Sequence, residues 1–147
     1  MLNDGTLANG AFALRETYGS LSKALPQISY YAGTDKLKVF MAGVPGQRFS
    51  KTDDVNGARI TVTGENDGEA IVIHLSDHEF LLVGYRASVS FSDAAFVWPT
   101  MKSIRVEKIY WADDHWNKDG EPTYGVDQSK NTLDIELDTA QAVRVSW

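Results

Sequence analysis

The amino-acid sequence predicts a mostly β fold, an antiparallel β-sandwich of the jelly-roll or Ig-like kind, with one N-terminal α-helix. Three observations predict it. From Leu37 onward the chain is a series of short runs rich in β-branched and aromatic residues. Gly or Asp-Gly interrupts these runs before they reach helical length. Only one early stretch carries helical periodicity.

The elements follow in order. The polar, Gly-rich MLNDGTLANG over residues 1–10 reads as a linker or lead-in. In AFALRETYGSLSKALPQI, Leu14, Tyr18, Leu21 and Leu25 share one helical face, and Pro26 stops the segment, so a helix is expected over 11–25. LKVFMAG is a strand. ARITVTG and GEAIVIHLS read as two strands of a hairpin turning at GENDG, whose Asn, Asp and Gly tolerate positive φ. EFLLVG and RASVSF are two further strands hinged at Gly84, with Phe80, Leu82, Val89 and Phe91 facing the core. SIRVEKIYWA, TLDIELD and AVRVSW complete eight or nine strands, all in a single domain over 11–147.

Composition narrows the function. A formal charge of −6 and a pI near 4.9 disfavour nucleic acid and anionic membranes as partners, and leave a neutral ligand such as a sugar unpenalised. The chain has no cysteine, hence no disulfide and no thiolate metal site. No apolar run approaches the roughly 18 residues that span a bilayer, and the N-terminus lacks the pattern of a signal peptide.

Catalytic motifs are weak. Asp77 with Glu79, and Asp113 with Asp114, are carboxylate pairs at strand ends, where solvated acids are ordinary. His74 and His78 are separated by a strand-turn-strand pattern that makes them diverge, so no metal centre is expected. A structural calcium ion is the one cofactor candidate, through Asp53, Asp54 and Asn56 or through Asn117 and Asp119, although neither run has the EF-hand order. No catalytic residue is assigned.

The chemistry-bearing stretch is YWADDHWNKDGEPTY. Sugars present apolar C–H faces ringed by hydroxyls, so a binder supplies flat rings and paired hydrogen-bonding side chains. Trp111, Trp116 and Tyr124 are the candidate rings; Asp114, Asn117 and Gln128 are the candidate polar partners. On a hairpin turning at Asp113-Asp114, the two tryptophans would oppose each other, which also stabilises a hairpin without any ligand. Trp98 and Trp147 read as packing residues.

The order of these motifs carries a resemblance. Glu79, Phe80, Leu81, Val83 and Gly84, then Asp114, His115 and Trp116, then Gly125, Val126, Asp127 and Gln128, and the closing AVRVSW follow a family pattern. It is that of the domain of uncharacterised function at the C-terminal end of bacterial β-galactosidase-like enzymes of glycoside hydrolase family 35. ETYGSLSKALPQI resembles the segment by which that domain is entered, so the likeness runs from Ala13 to Trp147. The resemblance implies a non-catalytic accessory domain, since the family's catalytic glutamates lie on a barrel outside this chain. It implies the parent catalytic barrel as partner, a plant or microbial polysaccharide as candidate ligand, and a secreted or periplasmic bacterial enzyme of polysaccharide degradation. The alternative is an autonomous carbohydrate-binding module stacking a glycan on surface aromatics.

Overall fold

The computed structural model describes residues 30–31, 33–41, 46–92, 104–112, 115–118, 120–127, 129–138 and 141–147. The helix expected over 11–25 and the lead-in over 1–10 lie outside the described residues, as do Trp98, Asp113, Asp114, Asp119 and Gln128.

Nine strands are described: β1 (Leu37–Met41), β2 (Phe49–Val55), β3 (Ala58–Ser76), β4 (Glu79–Ser92), β5 (Arg105–Ala112), β6 (His115–Lys118), β7 (Thr123–Asp127), β8 (Thr132–Leu137) and β9 (Gln141–Ser146). All pairings are antiparallel and join one sheet. The fold is therefore mostly β and antiparallel, with strand pairing continuous throughout rather than split into two separate sheets.

The spine is the β3–β4 pair, which turns at Asp77-His78. A straight strand of 19 residues would reach roughly 65 Å, so β3 has to bend. It does so at a bulge: Gly64 pairs with Ala87 and Glu69 with Tyr85, leaving residues 65–68 opposite Arg86 alone. The hairpin expected at GENDG is thus corrected. Those residues form the corner of one long strand, and the turn that precedes it is Asn56-Gly57, both at positive φ, between β2 and β3. Two strands, β2 and the edge strand β7, which carries Gly125, Val126 and Asp127, were not expected.

The corner depends on two glycines. A Cβ on Gly68 would fall on the carbonyl oxygen of Arg86, and one on Gly84 would meet the Glu69 carbonyl and Ala70 Cα. The expected hinge at Gly84 is therefore present, but within one strand: EFLLVG and RASVSF are the two ends of β4, not two strands. Arg86 itself adopts φ 52°, a left-handed conformation unusual for a side chain of its size.

The corner divides β3 and β4 into halves with different neighbours and different faces. The first half of β3 and the second half of β4 pair with β2 and β8. Here burial alternates: Ile60, Val62, Val89, Phe91, Leu133 and Ile135 are buried, while Arg59, Thr63, Ser88, Asp134 and Glu136 are exposed. The other halves pair with β1 and β9, and β5 joins through β9. There burial is continuous: Ala70–Ile73 and Phe80–Val83 are buried at every position. One apolar cluster draws from both halves, uniting Ile60, Val89 and Phe91 with Val72, Phe80, Leu82, Val143 and Val145. The four residues expected to face the core, Phe80, Leu82, Val89 and Phe91, all belong to it.

Substituting Gly68→Ala places a methyl group against backbone that cannot move aside, so a loss of about 1–3 kcal/mol is expected in chemical denaturation. Gly125→Ala, where an added Cβ meets nothing, is the control and should stay within about 0.5 kcal/mol.

Candidate functional site

The aromatic ribbon predicted from sequence forms as a backbone feature. β5 and β6 pair antiparallel with Trp111 opposite Trp116, Tyr110 opposite Asn117 and Ala112 opposite His115. Lys118 and Glu107 bridge at 3.5 Å, and the Lys108 amide donates to the Gly120 carbonyl, which fixes the ribbon's base against the following segment. Tyr124 stands on another strand, β7, in register with Ile135, and is 37% exposed. Burial and the neighbouring Glu121 carboxylate hold its hydroxyl above the usual phenol range. Of the polar candidates, Asn117 is half-buried on β6, whereas Asp114 and Gln128 lie outside the described residues.

The weaker sequence motifs separate. His74 is buried with its ring 4.7 Å from that of Phe80, while His78 sits in the exposed turn with its ring 5.9 Å from Trp147. Trp147 also stacks 5.8 Å from Phe80, in keeping with its reading as a packing residue. Glu79 is bound to Arg144, which also reaches Glu107. Asp53 pairs with Lys38 and Asp54 with Arg59, so each acid of the first calcium candidate has a cation beside it, and Asp119 of the second lies outside the described residues. Among the described residues no group of three or more His, Asp or Glu side chains is placed to hold a metal ion.

Two buried titratable groups were not predicted. Glu69 is 3% exposed, and burial pushes its carboxyl up to about 7 from an ordinary 4.5. His74 is 5% exposed, and burial, reinforced by the Lys36 charge and opposed by Asp77, lowers its pKa. Asn56 Nδ2 and His74 Nδ1 lie at hydrogen-bond distance, 2.6 Å. The uninterrupted register between Glu69 and His74 sets these side chains on opposite faces of β3. They cannot converge on one reacting atom. The sequence signal for Glu69 was its position two residues before Ile71, on a face that AIVI and FLLV mark as buried on both sides.

A concavity lies at the corner. A cavity of about 720 Å³ is lined by Arg48, Phe49, Ser50, Thr63, Gly64, Glu65, Arg86, Ala87, Ser88, Leu137 and Asp138. Its position follows from topology, because regular pairing stops here on several strands at once. Glu65 opens the bulge in β3, Arg86 is the β4 residue opposite it, Asp138 follows β8 and Arg48 precedes β2. The residue at each break is charged. Arg48 Nη2 donates to Glu65 Oε1 at 2.7 Å. On the strands themselves Ser50, Thr63 and Ser88 fall in one cross-strand row. No sequence signal marks this cleft, since its residues come from four separated stretches and the φ of Arg86 has no local motif.

Glu69 carries a pH-dependent prediction. Its folded pKa is raised, so its contribution is present below about pH 4.5 and lost as pH rises toward 7. Glu69→Gln should therefore be more stable than wild type by about 3 kcal/mol at pH 8.5, shrinking to a few tenths near pH 4.5, as read by denaturant midpoints. His74 acts with the opposite sign: the stability it contributes while neutral is lost as pH falls below its ordinary 6.5.

None of the curated proteins matches the chain. The profile of one family does, over residues 14–120, a span that includes β1 to β6 and the whole corner. On that match the chain belongs to the domain of unknown function DUF5597.

Proposed function

We propose that this domain is a non-catalytic accessory module of a β-galactosidase-like glycoside hydrolase. In this reading it packs on the catalytic barrel of a secreted or periplasmic bacterial enzyme and contributes contacts to its saccharide. The observation that carries the non-catalytic part is the placement of Glu69 and His74 on opposite faces of β3, because general acid–base work requires groups that converge. The link to glycoside hydrolases rests on the sequence resemblance. Its hallmark residues Phe80, Leu81, Val83 and Gly84 are all buried, consistent with a motif that encodes packing.

We also read the two halves of the bent sheet as the layers of a sandwich folded at the corner. The shared apolar cluster supports this, as does the 3.5 Å bridge from Lys38 on β1 to Asp53 on β2, two strands that flank different halves of β3. The alternative reading, an autonomous carbohydrate-binding module, is favoured by the pairing of Trp111 with Trp116.

The purified chain is expected to leave p-nitrophenyl β-D-galactoside intact. Hydrolysis that disappears in Glu69→Gln would overturn the non-catalytic reading. In affinity electrophoresis through galactan, xylan and β-glucan gels, retardation of the wild type that Trp116→Ala weakens by about 1 kcal/mol or more selects the autonomous module. An accessory module deleted from its parent enzyme should instead lower the parent's activity, with no retardation of the isolated chain that depends on Trp116.

A further inference from the structure

We propose that the corner cleft is a saccharide-binding subsite for an uncharged, polyhydroxylated ligand, distinct from the tryptophan ribbon. This rests on the glycan-associated reading above and assigns it a place. Charge is the first constraint. Arg48 and Arg86 are matched in number by Glu65 and Asp138, and one pair is already closed at 2.7 Å. With those charges balanced, an anionic ligand would meet two carboxylates and a cation two guanidinium groups. A neutral ligand meets neither cost.

Hydrogen-bonding capacity then selects among neutral ligands. Guanidinium groups only donate and carboxylates only accept, whereas the hydroxyls of Ser50, Thr63 and Ser88 do both. These three occupy successive strands in one row, spaced by the strand separation of about 4.8 Å. Fixed donors, fixed acceptors and adaptable hydroxyls in one cleft suit a ligand whose own groups are hydroxyls. At about 720 Å³ the cleft lies within the ~300–1,000 Å³ of small-molecule sites. The polar side chains that line it are exposed, so the site is an open groove that accepts a stretch of chain.

The corner also explains why the site is here. The β3–β4 register shifts here while β2 begins and β8 ends beside it, and Arg86, held at φ 52° opposite the bulge, is carried out of the alternation that would otherwise fix its direction.

The test is backbone amide chemical-shift mapping of the 147-residue chain titrated with lactose, cellobiose and xylobiose, with galacturonic acid as the charged comparison. The expected result is saturable shifts at Ser50, Thr63 and Ser88 with at least one neutral disaccharide, and weaker shifts with the acid. Ser88→Ala and Arg86→Gly should each weaken that binding about fivefold or more. Glycine is unstrained at the φ of Arg86, so this variant retains the fold. Shifts confined to β5 and β6 and abolished by Trp116→Ala would overturn the cleft while leaving a glycan-binding function standing. No shift with any neutral disaccharide would also overturn it, and the hydrolysis assay and parent-enzyme deletion would still decide the accessory reading.

Discussion

Backbone packed directly on backbone, where β3 bulges against β4, is the constraint on which the rest of this molecule depends. A side chain on Gly68 would meet the Arg86 carbonyl and one on Gly84 the Glu69 carbonyl, so both positions stay bare. Because the approach is this close, a strand of 19 residues and one of 14 can each serve both halves of the fold. Because both strands serve both halves, a single apolar cluster closes around Phe80, Phe91, Ile60 and Val143. The same bulge shifts the β3–β4 register, and β2 begins and β8 ends beside it, leaving a cleft edged by charges.

Ion pairs contribute to this arrangement mainly through geometry. The pairs Lys38–Asp53, Arg48–Glu65 and Arg59–Asp54 are exposed, and such pairs are each worth about 0–1 kcal/mol. Burial of the β3–β4 spine dominates stability. What the pairs fix is position: β1 against β2 across the open edge of the core, and Arg48 against the corner. The half-buried Arg144, reaching Glu79 on β4 and Glu107 on β5, does the same across β9. A buried carboxyl at Glu69 and a buried neutral imidazole at His74 run counter to this economy of burial, each destabilising the fold at one end of the pH range.

Much of this fold was legible from residue pattern. β1, β5, β8 and β9 overlap the expected LKVFMAG, SIRVEKIYWA, TLDIELD and AVRVSW to within two residues at either end, and the turn at Asp77-His78 separates two apolar runs as expected. The register of Trp111 with Trp116 was legible because two residues separate Ala112 from His115, the shortest hairpin spacing. The corner was not. GENDG has the composition of a turn, and only the partner strand decides whether such residues reverse the chain or bulge. β2 was hidden because FSKTDDV is polar along an exposed edge and β-propensity is weak there. The cleft was hidden for a related reason: Arg48, Glu65, Arg86 and Asp138 become neighbours only through strand pairing.

The most direct measurement of the central claim is a set of interstrand Hα–Hα nuclear Overhauser contacts across the corner. Continuous β3 and β4 predict that Val62 lies beside Val89 and Val72 beside Leu82 in the same protein. Contacts linking residues 58–64 to residues 68–76 would instead show a reversal at GENDG and contradict the corner, and with it the cleft.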